Sequence, residues 1–427
     1  MGQNKAEAEL LFKSSNDKYE KKDYNGALTD IDKCLQLYPD YKEAYFNRSN
    51  INLALRNHNE AISDLDKALD LDPFYTKAIF NRGIVWSEIG NFEKAKEDYH
   101  NLLEVDPSFY KGYINLGYIL LQEKEYTDAI KNFNLAMVYK RDYVMALLLR
   151  SQAYMEMEDF GQAINDINQA IALEPNNGMS YYNLGLCKYL MANYYDALRF
   201  LNKALELKYV SKEVYFYRGR TQDYMGNYEE AIADFSKALE IDPKYKYAYN
   251  YRGNTYYNQK DYDKAVIEYN KALAIDKSYS RPYNNRANIR LNNGDIQGAL
   301  EDYNKAIQLE DDLDITYGNR GNLYLNHLDN PEKALSDYNK ALAHNPDNYS
   351  IFSRRAEAKE KLGDFRGAVS DYDKAIKSEP KNARLYRGRA KAYMGLEFYG
   401  DACKDLKFAK SYGDGNVDYL IREYCSE

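Results

Sequence analysis

The chain is poor in the residues that usually advertise chemistry: among 427 residues there are four His, four Cys and one Trp. Cys34, Cys187, Cys403 and Cys425 lie far apart and form no CxxC pair. That spacing predicts reduced thiols in a packed interior rather than a disulfide framework or a zinc site. The histidines at 58, 100, 327 and 344 are scattered. No HExxH, no phosphate-binding Gly loop and no His/Cys/acid cluster at metal spacing occurs. The GDGN segment at 413–416 is too short for a calcium loop. Hence no catalytic role, no metal and no cofactor is expected. No run of 18 or more apolar residues exists, so no membrane span is expected. The opening MGQNKAEAEL lacks a basic region followed by an apolar stretch, and Ala6 stands where a myristoylation signal wants Ser or Thr. A soluble cytoplasmic protein is the expectation. A formal net charge of −8 argues against a nucleic-acid partner, whose phosphates an acidic surface repels.

What the chain does have is 45% hydrophobic residues, 46 tyrosines, and a repeat. Alanines recur at 27, 61, 95, 129, 163, 197, 231, 265, 299, 334, 368 and 402, always 34 residues apart except for one step of 35. A second small or apolar residue follows each by seven positions, and Ser, Gly or Ala precedes each by twelve, or by thirteen in the tenth copy, where it is Gly321. Seven of the nine prolines fall at one phase, and Pro is missing at the equivalent Arg141, Tyr209, Lys277, Asp311 and Asp414. Self-similarity at this period marks a stacked repeat architecture.

Each copy reads as two amphipathic helices. In the third, Ile79, Arg82, Gly83 and Trp86 form one stripe at i, i+3, i+4, i+7. The turn Ile89-Gly90-Asn91 leads to a second helix carrying Ala95, Tyr99 and Leu102, which ends at Asp106-Pro107. Small residues on both helices allow close approach, and the aromatic fills the remaining gap. In the tenth copy the extra residue lies in the internal turn, where Asn330-Pro331 reads as a cap followed by Pro at the first helical position.

With its small residue at Gly83, its two alanines at Ala61 and Ala68 and its aromatic at Tyr99, the pattern resembles the tetratricopeptide repeat. The family's Trp at the fourth position is mostly Tyr here, as at Tyr45, Tyr113, Tyr181 and Tyr249. The resemblance implies an all-α fold, a right-handed α-α superhelix whose inner wall is made by the first helix of each repeat. It implies a tail at 1–7, twelve repeats over 8–416 in one solenoid, and a solvating helix at 417–427, where Val417, Leu420, Ile421 and Tyr424 form an apolar stripe.

Numbering each copy from its first residue (8, 42, 76 and onward), Arg occupies the seventh position in nine copies, and in each of these the twenty-third is acidic, displaced by one to Asp337 in the tenth copy by its extra residue. Arg252 with Glu268 and Arg286 with Asp302 are examples. Where the seventh is Leu116 or Leu184, the twenty-third is Asn132 or Phe200, so acid and base vanish together. An ion pair inside the stack is expected, fixing register more than adding stability. In the first copy, Ser14 replaces the arginine, and Asp30 is expected to pair across to Arg48.

Positions 2, 5, 6, 9, 12 and 13 form the opposite stripe and are expected to face the groove. The fifth runs Phe12, Phe46, Phe80, Ile114, Leu148, Tyr182 and Phe216 before turning polar. These side chains either seat apolar groups of a ligand or pack between neighbouring first helices. In the eighth to tenth copies, ten of twelve slots at positions 5, 6, 9 and 13 are Asn: Asn250, Asn254, Asn258, Asn284, Asn285, Asn288, Asn292, Asn319, Asn322 and Asn326. Asn is a mediocre helix former, so its concentration there is not what helix stability favours. Each carboxamide carries a donor and an acceptor, as each peptide unit of an extended chain does. The pattern resembles the asparagine ladder of protein O-GlcNAc glycosyltransferases, which holds peptides by their main chain. Asn47, Asn81, Asn115 and Asn183 at position 6 extend the series. Beyond it, Arg354, Lys361, Arg384, Arg387 and Lys391 form a basic wall suited to an acidic segment or a C-terminal carboxylate. The Lys/Asn clamp of chaperone-binding relatives is not reproduced where Phe12, Phe46 and Phe80 stand.

These readings lead to a non-enzymatic adaptor that holds an extended segment of a protein partner in its groove, with no nucleic acid and no membrane. A structural scaffold, self-associating through outer faces or chain ends, a homodimer included, is the alternative.

Overall fold

The structure, a computed structural model, describes residues 2–309 and 313–425. Asp311, one of the junctions without Pro, lies outside them. Among the described residues every regular element is a helix: two per repeat, then a single-turn 3-10 segment Gly415–Val417 and a last helix Asp418–Tyr424. The first helix begins at Gly2, so residues 2–7, set apart in the sequence as a tail, form its opening turns. The chain divides into two compact units, Met1–Val210 with repeats 1 to 6 and Ser211–Glu427 with repeats 7 to 12.

The local causes repeat with the sequence. In eight repeats the Asp or Asn before the second helix accepts a bond from a free backbone N–H at its start, as Asp261 does from Lys264, Asp295 from Gly298 and Asn330 from Lys333. Pro331 follows its cap directly, as its missing N–H permits. The residue just before the cap turns left-handed. Gly occupies it at 90, 226, 294 and 363, where positive φ is free of strain.

Within a repeat, the small residue at position 8 is the point of closest approach. A Cβ added to Gly253 would lie 2.6 Å from the Tyr269 ring, and one added to Gly83 would lie 2.7 Å from Tyr99. The aromatic of the second helix therefore lies flat on the backbone of the first and is buried, at 1% exposure for both rings. The alanines at both repeating phases of the second helix are buried throughout the stack.

All nine arginines meet the acid sixteen or seventeen residues on, at 2.5–2.8 Å. Most grip it as a fork, as Arg150 does with Nε and Nη2 on the two oxygens of Asp166. In eight of the nine the third nitrogen reaches the preceding repeat. Nη1 of Arg286 donates to Asn270, that of Arg252 to Ser236 and that of Arg389 to Asp373. Each of these arginines thus closes its own helix pair and ties it to the one before. Asp30 does not pair with Arg48. It accepts from Lys18 and Ser14 at 2.6 Å, while Arg48 is filled by Asp64 and Asp32.

The cysteines divide. Cys34 and Cys187 are buried free thiols, and burial pushes both up to about 11, which leaves them unreactive. Cys403 and Cys425, read as reduced from their spacing, form a disulfide. The last helix folds back over the twelfth repeat, with Val417 and Leu420 in a cluster with Leu406 and Ala409, and this brings Cys425 beside Cys403. Tertiary return of the chain end, invisible in spacing, made the pair.

Candidate peptide-binding site

In the second unit the first helices of repeats 8, 9 and 10 run Lys246–Asn258, Ser280–Asn292 and Leu313–Asn326. They carry the ten asparagines on one side, but the four phases differ in what they touch. Position 5 is a seam between neighbouring first helices, not open groove. Asn250 is 1% exposed, as Leu148 and Phe216 at the same phase are buried. The early rings there meet an aromatic at the next junction: Phe12 with Tyr41, Phe46 with Tyr75 and Phe80 with Phe109, at 5.0–5.4 Å. Packing, the second of the two readings of the phenylalanine series, is the arrangement these pairs make.

Position 6 is spent on the repeat before. Asn285 donates to Asn254 at 2.9 Å and to Asn250 at 3.3 Å, and Asn319 donates to Asn284 at 3.1 Å. The first unit uses the same phase alike, Asn47 donating to Asn16 and Asn81 to Asn50. These carboxamides join repeat to repeat.

Position 9 does two jobs. The buried tyrosine of the same repeat donates its hydroxyl to the side-chain oxygen: Tyr269 to Asn254, Tyr303 to Asn288 and Tyr338 to Asn322, at 2.5–2.9 Å. With every oxygen engaged, the Nδ2 groups are the ends left to offer. At position 13, Asn258, Asn292 and Asn326 are exposed, and Asn258 reaches Asp223 at 3.5 Å. Asn254, Asn258, Asn285 and Asn288 line a cavity of about 260 Å³ together with Tyr251, Tyr257 and Asp223. Of the ten asparagines, then, six remain open to a ligand: those at position 9 present Nδ2 donors, whereas those at position 13 keep their oxygens as well, Asn258 donating its Nδ2 to Asp223.

In repeats 11 and 12 the same phases turn charged. Position 6 becomes Arg354 and Gly388, and position 9 becomes Glu357 and Lys391. These residues line a second cavity of about 760 Å³ with Arg384, Arg387 and Glu360. The basic wall is partly neutralised. Lys361 pairs with Asp329 at 2.6 Å, Arg387 with Asp414 at 2.8 Å and Arg354 with Glu357 at 3.3 Å. Arg384 and Lys391 are exposed.

The sequence reading passed over two acids at position 12, Asp223 and Glu360. Other repeats place Tyr, Leu, Met or Ser there, and that contrast was the available signal. Burial pushes both carboxyls up, Glu360 to about 7. One oxygen of each is buried without a hydrogen-bond partner.

Models of the tetratricopeptide repeat match residues 42–75, 87–141, 148–211, 213–245, 247–313 and 353–403, well over half of the chain. The chain belongs to the tetratricopeptide repeat family. No curated protein sequence matches it. A solved tetratricopeptide repeat protein of Parabacteroides merdae aligns at 20% identity over 58% of this chain and 99% of its own, with a TM-score of 0.53. The structure of the APC/C hetero-tetramer Cut9–Hcn1 aligns at 16% identity over 98% of this chain and 96% of that one, with a TM-score of 0.52. Yeast Tom70 aligns at 20% identity over 97% and 99%, with a TM-score of 0.46. For the first two, at these identities, the likeness is one of fold. For a tetratricopeptide repeat protein the Arg–acid staple and the tyrosine–asparagine bonds described above belong to the stack itself. No helix among the described residues is long and apolar enough to cross a membrane.

Proposed function

We propose that the protein is a non-catalytic interaction module that binds an extended segment of a partner protein along the first helices of repeats 8 to 12. The observation that supports this most is the division of labour among the asparagines. Positions 5 and 6 hold the stack together, whereas positions 9 and 13 keep carboxamide groups at a fixed period along one side. An extended chain offers carbonyl oxygens at a regular period too, so side-chain identity matters little along this stretch. The charged pocket of repeats 11 and 12 supplies direction, with Arg384, Lys391, Arg354 and Arg387 favouring an acidic end. On this reading the protein works in the cytoplasm as an adaptor, needs no cofactor, and leaves any chemistry to its partner.

A library of displayed random peptides, selected against the wild-type protein, supplies ligands before the natural partner is identified. The triple variant Asn258→Ala, Asn292→Ala, Asn326→Ala should lose at least about tenfold in affinity for the selected peptides, one or two hydrogen bonds' worth. Its thermal melt should match the wild type, because these side chains are exposed. Unchanged affinity in a folded variant rejects the groove as the site.

A further inference from the structure

The pocket of repeats 11 and 12 contains a charge that sits wrongly for a simple basic site. Glu360, on the first helix of repeat 11 (Tyr349–Lys361), lines a cavity with the cations Arg354, Arg384, Arg387 and Lys391 and three further acids, Glu357, Glu379 and Asp414. Its Oε1 is buried with no hydrogen-bond partner, and its other contact is the hydroxyl of Tyr372 on the second helix of the same repeat. Gly388 lines the same cavity at position 6, where six other repeats carry Asn, and a Cβ there would lie 2.4 Å from Tyr372. The glycine therefore lets Tyr372, the hydroxyl partner of Glu360, pack directly against the first helix of repeat 12.

The charges around Glu360 come from three helices. On its own helix are Glu357, which raises its proton affinity, and Arg354, which Glu357 already engages at 3.3 Å. Tyr372 faces it from the second helix of repeat 11, and Lys391 from the first helix of repeat 12, each favouring the ionised form. Arg384 and Arg387 line the same cavity, the latter held by Asp414. Burial nevertheless dominates, and the carboxyl titrates near neutrality, at about 7.

We propose that this cavity holds the carboxylate-bearing end of a bound peptide, and that Glu360 takes up a proton when it does. The inference rests on the groove reading above and adds the chemistry of one end of the ligand and its regulation by pH. An arriving carboxylate pairs with Arg384 and Lys391 and lies near Glu360. Two facing carboxylates repel, so the incoming charge raises the proton affinity of Glu360 further. Glu360 then binds a proton from solvent, forming an O–H bond, and donates it to the ligand oxygen in place of repelling it. No bond of the ligand breaks. The sign follows directly. Below about pH 7 Glu360 is already neutral and affinity is full. Above it, binding must first recruit a proton, and affinity falls with rising pH.

The probe is N-acetylated hexaglutamate with a free C-terminus, compared with hexaglutamine amide, by titration calorimetry at pH 6 and pH 8. Hexaglutamate should bind the wild-type protein about five- to tenfold more tightly at pH 6 than at pH 8. In Glu360→Gln, which carries the neutral form at every pH, that slope should vanish and binding at pH 8 should match wild type at pH 6. Repeating the titration at pH 7.5 in two buffers of different ionisation enthalpy should show proton uptake by wild type and none by the variant. Circular dichroism melts confirm that the variant is folded. An equal pH slope in both proteins, or hexaglutamate binding at pH 6 no tighter than hexaglutamine amide, overturns the proposal. If hexaglutamine amide binds and depends on Asn258, Asn292 and Asn326, the groove reading survives that failure. If it does not bind while hexaglutamate keeps its pH signature, the groove reading fails and the pocket stands alone.

Discussion

Arg252→Leu should destabilise the protein by about 3–5 kcal/mol, because it strands a buried carboxylate. Glu268 is 5% exposed and accepts from Nε and Nη2 of Arg252 at 2.8 and 2.6 Å. Once the guanidinium is gone, only Lys271, one turn along the same helix, remains to serve it at 2.8 Å. The substitution also removes the Nη1 bond to Ser236 of the preceding repeat, so two contacts of the stack are lost together. Adding Glu268→Leu should restore most of the stability, since apolar groups of similar volume escape the desolvation that the ion pair must offset. Leu116 and Leu184 already occupy the seventh position in two repeats, each without an acid at the twenty-third, and show that the stack accepts this exchange. Urea unfolding of the three proteins side by side reads the effect. A double variant no more stable than Arg252→Leu would mean that the pair is not coupled.

Replacing Asn254, Asn288 and Asn322 by Ala should weaken both binding and the fold. Sequence reasoning alone expects the melting temperature to stay put, because it reads these side chains as ligand contacts free in the groove. In the structure each oxygen is the acceptor for a tyrosine hydroxyl, and Tyr269, Tyr303 and Tyr338 are no more than 1% exposed. Leaving a buried hydroxyl without its acceptor costs about 1–3 kcal/mol each. Three at once should lower the urea midpoint clearly. Adding Tyr269→Phe, Tyr303→Phe and Tyr338→Phe should recover part of the loss by removing the stranded hydroxyls, while peptide affinity stays low. A wild-type melt in the triple alanine variant would show that the tyrosine–asparagine bonds contribute nothing to stability.

Much of this architecture was legible because the chain repeats itself. Twelve copies let positions be compared within one sequence, and the joint loss of Arg and acid in the copies with Leu116 and Leu184 exposed a contact that no single copy could show. The second partner of eight of the arginines was written there as well, for instance in Asp32, Asp66, Asn270 and Ser236. Its chemical type varies while its role as an acceptor does not, so it escapes a search for identity.

The candidate site was legible only as a helix face. A period of 3.6 residues places positions 5, 6, 9 and 13 on one broad side, but it does not say where the neighbouring repeat covers that side. Asn250 fell under the neighbour, Asn285 and Asn319 turned toward it, and only positions 9 and 13 stayed open. Glu360 was passed over because the contrast with Tyr, Leu, Met or Ser at position 12 of other repeats marks an odd residue but not its burial. The Cys403–Cys425 disulfide has the same origin, in a chain end whose return no local pattern announces.

The central claim is that the groove reads a main chain. A peptide selected against the wild-type protein can be resynthesised with single backbone amides replaced by esters, which weakens one carbonyl as an acceptor while leaving its side chains in place. The account predicts that esters opposite repeats 8 to 10 lower affinity several-fold each in wild type, and that Asn258→Ala, Asn292→Ala, Asn326→Ala removes that sensitivity. Full affinity in every ester analogue, with binding lost instead on changing single side chains, would contradict it.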